Sequence, residues 1–183
     1  KKSNKKSFWT AKTMAVGAMC MALSSVLSLI KLWSMPMGGS VTPASMLPLL
    51  LFAYCYGVGP GMVLGALYGV MQFLLDGMAW AALGAIPNLL DYPIAFGLLG
   101  LAGCFRGSKA KMTAGFVLGC FGRFMASFLS GFIFYGQYAP EGVNPVWYSL
   151  TYNGSYMLVE CIICIALGLL VGERLAKELK KVA

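Results

Sequence analysis

Charged residues in this sequence gather in short clusters, and long apolar runs fill the chain between them. Only 11% of the residues are charged, whereas a soluble domain carries about 25%. A water-soluble protein of 183 residues could not cover its surface with so few charges. A lipid bilayer removes that requirement, because hydrocarbon is then the solvent for the outer face. The pattern therefore predicts an all-α integral membrane protein that forms one domain over residues 1–183.

Six apolar runs are predicted to be transmembrane helices. They extend from about Phe8 to Trp33, Ser45 to Tyr56, Met62 to Leu75, Ile86 to Phe105, Met112 to Tyr135 and Val146 to Leu170. A full span needs about 20 residues. The second and third runs are shorter, so we expect them to be tilted or to form part of a binding cavity. An amphipathic tail, Glu173 to Val182, follows the sixth run.

Three clusters of basic residues agree with one orientation in the membrane, and only Lys31 and Arg123 lie elsewhere. The clusters are Lys1, Lys2, Lys5, Lys6 and Lys12; Arg106, Lys109 and Lys111; and Arg174, Lys177, Lys180 and Lys181. With six spans these clusters fall on one side, and the opposite loops carry Asp76 and Glu141. Positive charge marks the cytoplasmic side, so we predict that both termini are cytoplasmic. The clusters show no basic face with interleaved aromatics, which argues against a nucleic-acid partner.

The content of histidine and cysteine limits the chemistry that the chain can perform. There is no histidine, which excludes His-based acid–base catalysis and His metal ligands. Cys161 and Cys164 form a C-x-x-C on an apolar helix without a second pair, so buried thiols are favoured over a zinc or redox site. No phosphate-binding loop and no nucleophile–base pair is visible. We therefore expect no catalytic residue, no metal and no cofactor.

Asp91, Arg123 and Glu160 lie inside apolar runs, where a charge is costly and usually functional. Asp91 lies near the outer end of the fourth run, and Pro87 and Pro93 are expected to kink that helix. Asp91 is either a helix cap at the interface or an anionic site for a cationic ligand. Arg123 is expected to form an ion pair with Asp91 or with Glu160.

Aromatic and amide side chains concentrate at the predicted outer ends of the helices. Each one taken alone is typical of the aromatic belt at a membrane interface. Together with Asp91 they would also form a pocket for a flat, positively charged heterocycle. On the sixth run, Asn153, Tyr156 and Glu160 share one helical face. The other members are Trp33, Trp80, Tyr135, Tyr138, Trp147, Tyr148 and Tyr152.

Two helical faces consist of small residues. Gly61, Gly65 and Gly69 share a face of the third run, and a second face on the first run contains Ala11, Ala15, Ala18 and Ala22. Small residues let helix backbones approach closely in a membrane. Each face is therefore expected to serve either packing within the chain or docking of a partner subunit.

Four segments resemble a known family over nearly the whole chain. They are KLWSMPMGGS (31–40), LLDYPIAFGLLGLAG (89–103), SGFIFYGQYAPEG (130–142) and YSLTYNGSY (148–156). They are similar to the ThiT family, the thiamine-specific substrate-binding S-components of energy-coupling factor (ECF) transporters. The resemblance implies a six-helix protein of the bacterial cell membrane. It also implies that the protein captures thiamine at an outward-facing, loop-covered site and is not an enzyme.

The resemblance also assigns roles to individual residues. Asp91 matches the acidic partner of the thiamine cation, and Tyr135 matches an aromatic residue that stacks on the ligand. Ala18 and Ala22 match the face that meets the shared transmembrane coupling subunit, which works with two ATPase subunits. The other matched positions in the vitamin site are Trp33, Tyr92, Arg123, Gly131, Tyr148 and Asn153.

Ser127 departs from the family pattern, because the family usually has a ligand-contacting histidine at this position. Serine can still form a hydrogen bond but has a shorter reach. This substitution leaves open a second hypothesis, in which the ligand is another small vitamin or a thiamine fragment, such as a pyridoxine-like or pyrimidine compound. A third hypothesis, an independent ion-coupled carrier, is disfavoured because the chain is short and lacks an inverted repeat.

Overall fold

Six apolar helices make up the computed structural model, which describes residues 9–78 and 84–182. Five are long and apolar enough to cross a membrane, and α2 is a shorter apolar helix. The prediction of an all-α, multi-pass membrane protein is therefore confirmed. In chain order the helices are α1 (Ala11–Leu29), α2 (Leu47–Tyr56), α3 (Val58–Leu75), α4 (Ala85–Cys104), α5 (Lys109–Phe134) and α6 (Pro145–Leu167).

Helix α1 is shorter at both ends than the predicted span from Phe8 to Trp33. It begins after Thr10, whose hydroxyl accepts a hydrogen bond from the backbone N–H of Thr13 in a reciprocal capping box. Such a cap satisfies backbone donors that have no partner within the helix. Helix α1 ends before Ile30, whose backbone is extended. Trp33 therefore lies in a strand and not in the helix, while Phe8 lies outside the described residues.

The segment after α1 forms a small antiparallel hairpin, where the sequence had indicated only a loop. Strand β1 (Trp33–Ser34) pairs with β2 (Ser40–Val41), and a 3₁₀ turn at Pro36–Gly38 joins them. A two-stranded hairpin is marginally stable by itself. This hairpin is held by Tyr152 of α6, whose hydroxyl accepts from the Gly39 N–H at 3.0 Å and donates to the Pro36 carbonyl.

Helix α2 is the centre of the protein, since its residues from Leu47 to Cys55 are all buried. A helix that is apolar all round is typical of a buried core element. Because protein surrounds this helix, its length need not match the thickness of the bilayer. The prediction of a short second span is confirmed. Gly57 alone, with a φ of 107°, separates α2 from α3. Helix α3 therefore begins at Val58, and the predicted start of the third span at Met62 is wrong. Pro60 lies within the first helical turn, where a backbone N–H has no partner in the helix, so the missing N–H of proline costs no hydrogen bond.

Helix α4 changes its helical form along its length. A regular segment (Ala85–Leu89) leads into a π turn (Leu90–Ile94) that contains Pro93. The helix then returns to α form (Ala95–Leu98) and ends as 3₁₀ (Leu99–Cys104). Proline cannot donate to the regular helical ladder, and π turns are typical of functional sites. The expected irregularity near Pro93 is therefore present, and it involves Asp91 and Tyr92.

The glycine face of α3 packs inside the protein, against α4. A Cβ at Gly65 would lie 2.2 Å from the Phe96 carbonyl oxygen, and one at Gly69 would lie 2.4 Å from that of Tyr92. Any side chain at these positions would collide with the α4 backbone. Close packing within the chain is therefore the role of this face. In contrast, Ala18 and Ala22 on α1 are exposed.

The chain continues beyond α6 as a helix. A π turn (Gly168–Gly172) connects α6 to α7 (Glu173–Val182), so the amphipathic tail is helical, as predicted. It packs against α2, with the Tyr56 hydroxyl donating to the Leu179 carbonyl at 2.6 Å. The predictions for Trp80 and for the first basic residues, Lys1, Lys2, Lys5 and Lys6, lie outside the described residues.

Candidate functional site

A polar cavity of about 150 Å³ opens among the hairpin, α3, α4, α5 and α6. Eight of the nine residues predicted to bind a ligand line this cavity. The sequence placed them on three different helices, and the fold brings them to one place. They are Asp91, Tyr92, Arg123, Ser127, Gly131, Tyr135, Tyr148 and Asn153. The ninth, Trp33, is half exposed in β1 and is not part of the lining.

Asp91 is the carboxylate at the wall of the cavity. It lies within the π turn of α4 and accepts a hydrogen bond of 2.7 Å from the Ser130 hydroxyl on α5. The residue before the first turn of α4 is Gly84, so the interpretation of Asp91 as a helix cap is wrong. Its side chain is half buried, and it faces a cavity instead of a helix terminus. A carboxylate in this position can neutralise a cationic ligand.

Tyr135 lies where α5 ends and contributes a phenol beside Asp91. Burial raises the pKa of the Tyr135 phenol above its ordinary value, and the Asp91 carboxylate raises that pKa further. The phenol therefore stays protonated at neutral pH and can donate a hydrogen bond. Its ring supplies an aromatic surface in the same cavity as the carboxylate.

Tyrosines of α6 form an aromatic wall opposite α4. The rings of Tyr148 and Tyr152 have centroids 6.1 Å apart, and those of Tyr152 and Tyr156 are 5.9 Å apart and nearly perpendicular. All three line the cavity. Aromatic faces attract flat cations through their quadrupole. Since Tyr156 is deeply buried and Tyr148 is near the start of α6, this wall extends from the mouth of the cavity inward.

Asn153 is held in one orientation by its neighbours. Its amide nitrogen donates to the Ser149 carbonyl at 3.0 Å and the Ser127 carbonyl at 3.3 Å, and its amide oxygen accepts from the Tyr156 hydroxyl. Gly131 packs against Ser149 and Asn153, since a Cβ at this position would lie 2.4 Å from Ser149 Oγ and 3.1 Å from Asn153 Nδ2. These contacts join α5 to α6 and fix a polar edge of the cavity.

The inner end of the cavity contains a buried ion pair. Arg123 Nη1 lies 3.8 Å from Glu160 Oε2, and the Arg123 guanidinium lies over the Phe96 ring at 4.2 Å. Glu160 also accepts hydrogen bonds from the hydroxyls of Thr42 and Ser45, which precede α2. Of the two partners expected for Arg123, the structure selects Glu160. Asp91 lines the same cavity but forms no salt bridge with Arg123.

Sequence reasoning missed a second carboxylate, Asp76, together with the polar chain that leads to it. Gln72 Nε2 and the Tyr92 hydroxyl each donate to Asp76 at 3.1 Å. Tyr68 and Ser28 in turn donate to Gln72 Oε1. The only signal in the sequence was the position of Gln72 and Asp76 one helical turn apart. Further lining residues that the sequence did not single out for the site are Lys31, Gly38, Gly39, Ser40, Thr42, Ser45, Phe96 and Ser149.

Trp147, in the first turn of α6, and Tyr138, just after α5, lie outside the cavity lining. Trp147 is 64% exposed and Tyr138 is 47% exposed. These values fit side chains of an interfacial aromatic belt. The predicted cluster of aromatic residues is therefore split: four of its tyrosines line the cavity, whereas Tyr138 and Trp147 do not. Within residues 9–78 and 84–182, no three Cys, Asp or Glu side chains converge as a metal site.

Comparisons with known proteins agree on one family. Residues 14–179 match the family described as "Thiamine transporter protein (Thia_YuaJ)". Thiamine transporter ThiT of Bacillus subtilis (strain 168) is 39% identical over 145 residues, which cover 72% of this chain and 73% of that protein. Thiamine transporter ThiT of Lacticaseibacillus paracasei is 33% identical over 134 residues, which cover 66% of this chain and 67% of that protein.

A solved structure agrees with the fold. ThiT from Listeria monocytogenes superposes with a TM-score of 0.76 at 20% identity, and the match covers 93% of this chain and 96% of that one. At this identity the likeness concerns the fold, which is the six-helix arrangement expected from the sequence. The relatives are named as transporters, and transport is not an enzymatic role. On the match to residues 14–179 and the two relatives, the chain belongs to the thiamine transporter protein family.

Proposed function

We propose that the chain binds thiamine from the outer face of the membrane as the substrate-binding component of an ECF-type uptake transporter. The observation that carries this proposal is the position of Asp91 in a cavity walled by tyrosines. Thiamine is a cation with two flat rings. A carboxylate balances such a charge, aromatic faces stack the rings, and the fixed amide of Asn153 orients them.

Thiamine binding to the purified chain tests this proposal. Titration in detergent is followed by quenching of the intrinsic tryptophan fluorescence, for the wild type and for Asp91→Asn. We expect saturable quenching by the wild type and binding weaker by about a hundredfold in Asp91→Asn, because the variant loses the buried counter-charge. Glu141→Gln, which removes an exposed carboxylate outside the cavity, is the matched control. No binding by a folded wild-type protein overturns the proposal.

A second candidate ligand follows from Ser127, which is buried and lines the cavity. The serine side chain is shorter than the histidine that the family usually has at this position, so it reaches less far into the cavity. Another small vitamin or a thiamine fragment is the alternative that this difference favours. A panel of thiamine, pyridoxine and the aminopyrimidine fragment separates the two, since the ligand with the lowest Kd identifies the substrate.

The exposed alanine face of α1 supports docking on a transmembrane coupling subunit, which would work with two ATPase subunits. Ala18 and Ala22 are exposed, although they lie in the middle of an apolar span. Small residues permit close approach of a second helix in lipid. We expect Ala18→Leu with Ala22→Leu to abolish copurification with such a subunit while thiamine binding persists. Ala166→Leu, at an exposed alanine of α6, is the control and should copurify normally.

A further inference from the structure

Asp76 lines the cavity in addition to Asp91 and the ion-paired Glu160, and no role in the site was expected for it. It lies at the carboxyl end of α3, directly after Leu75. Its side chain lines the same cavity as Asp91, but it is exposed, whereas Asp91 is half buried. Asp76 is therefore a charge at the mouth, and Asp91 is a charge farther inside.

The position of Asp76 is unfavourable for the isolated helix. The carboxyl end of a helix carries a partial negative charge, so a carboxylate there is repelled. Within the described residues Asp76 forms no ion pair, since the two salt bridges found are Arg123–Glu160 and Lys181–Glu178. The adjacent segment 79–83 contains no charged residue. Lys31 is exposed and lines the same cavity, but it forms no salt bridge with Asp76.

Neutral donors nevertheless hold Asp76 in one orientation. The Gln72 amide binds one carboxylate oxygen and the Tyr92 hydroxyl binds the other, each at 3.1 Å. Gln72 is itself fixed by Tyr68 and Ser28. Hydrogen bonds that orient a charged group without neutralising it leave its field available to a ligand.

Tyr92 connects the two carboxylates. It follows Asp91 in the π turn of α4, and its hydroxyl reaches Asp76 on the neighbouring helix. A ligand that contacts Asp91 and lies against this part of the wall therefore also faces Asp76. Two carboxylates in one cavity attract a cation more strongly than a neutral molecule of the same shape.

We infer that Asp76 is a specificity-determining residue that selects ligands by their positive charge. This inference rests on the proposed function, because it assumes that the cavity binds the thiamine cation. Asp91 and Tyr135 hold the ligand within the cavity, and Asp76 distinguishes the cationic thiazolium from uncharged rings of equal size. Since Asp76 is exposed, its contribution weakens as ionic strength rises.

The test compares thiamine with a neutral isostere in which thiophene replaces the thiazolium ring. Dissociation constants are measured in detergent for the wild type, Asp76→Asn, Asp76→Glu and Glu141→Gln. In Asp76→Asn we expect thiamine binding to weaken about tenfold and isostere binding to change by less than about twofold. Asp76→Glu, which keeps the charge, should restore selectivity for the cation, and Glu141→Gln should behave as the wild type.

The possible outcomes separate this inference from the proposed function. If the wild type binds thiamine and Asp76→Asn binds it equally well, Asp76 has no role in selection. If Asp76→Asn weakens both ligands equally, its role is structural, and the inference is again wrong. Failure of the folded wild type to bind thiamine overturns the proposed function, and the inference falls with it.

Discussion

At the scale of single residues, the cavity is built from groups whose neighbours fix them in place. Asp91 is held by Ser130, and Asn153 by the carbonyls of Ser149 and Ser127. Such contacts remove rotamer freedom before a ligand arrives, which lowers the entropic cost of binding. The absence of a side chain at Gly131 matters as much, because it lets α5 and α6 meet at the cavity wall.

Gly131→Ala is expected to weaken ligand binding by about tenfold and to destabilise the protein by about 1–3 kcal/mol. The new Cβ would lie 2.4 Å from Ser149 Oγ and 3.1 Å from Asn153 Nδ2, so the amide must move. Thiamine titration and thermal unfolding in detergent measure the two effects. Gly154→Ala is the matched control on α6, since the nearest atom to its Cβ is 4.0 Å away. Equal behaviour of the two variants would contradict this prediction.

At the scale of elements, two irregular segments position the site. The π turn of α4 lies within a transmembrane span, and this turn contains Asp91 and Tyr92. The hairpin between α1 and α2 contributes Gly39 and Ser40 to the lining and is anchored by Tyr152. Helix α3 supports the π turn through direct backbone contact at Gly69, and it contacts the following α-helical segment at Gly65.

Gly65→Ala is expected to destabilise the fold by about 3 kcal/mol, because its Cβ would overlap the α4 backbone at Phe96 and overpacking of a tight contact is costly. Unfolding in detergent followed by circular dichroism or tryptophan fluorescence provides the measurement. Gly59→Ala, on the same helix but with no atom within 4 Å of the added Cβ, should be neutral. A stable Gly65→Ala variant would show that α3 and α4 can separate freely.

Tyr152→Phe is expected to release the ligand several times faster than the wild type, with a smaller change in the association rate. The substitution removes the hydroxyl that joins the hairpin to α6 at Gly39 and Pro36. Stopped-flow fluorescence gives both rate constants. Tyr138→Phe, at an exposed tyrosine outside the cavity lining, is the control. An unchanged dissociation rate in Tyr152→Phe would mean that the hairpin does not retain the ligand.

At the scale of the whole molecule, six apolar helices and the distribution of charge indicate one arrangement in the membrane. The cavity lies at the end of the bundle where α1, α3 and α5 end, and Asp76 and Glu141 lie in the segments after α3 and α5. The basic residues between α4 and the first turn of α5 lie at the other end, together with those of α7. There the Gly107 N–H donates to the Tyr54 hydroxyl, and Lys180 lies over the same ring. By the positive-inside rule we predict that the cavity opens on the outer side of the membrane.

Cysteine labelling in intact cells tests this orientation. In a variant without the six native cysteines, a membrane-impermeant thiol reagent should label Glu141→Cys and should not label Lys109→Cys until the cells are opened. Both native residues are exposed, so accessibility differs only by the side of the membrane. The reverse labelling pattern would place the cavity on the cytoplasmic side.

The sequence by itself determined the features that depend on local composition. Apolar run length gave the helices because lipid forces every backbone group to bond within its own segment. Charge clusters predict one consistent orientation, and the spacing of Asn153, Tyr156 and Glu160 gave their common face. The four segments that resemble the ThiT family contain six of the eight predicted residues that line the cavity, because ligand chemistry restricts which side chains serve there.

Only the tertiary structure decided which groups from distant segments meet. It paired Arg123 with Glu160 and not with Asp91, brought Asp76 into the cavity through Tyr92, and left Trp33 outside the lining. These outcomes depend on the π turn at Pro93, the hairpin after α1 and the close approach of α3 to α4. Each arises from packing between residues far apart in the chain, which neither helical periodicity nor hydropathy encodes.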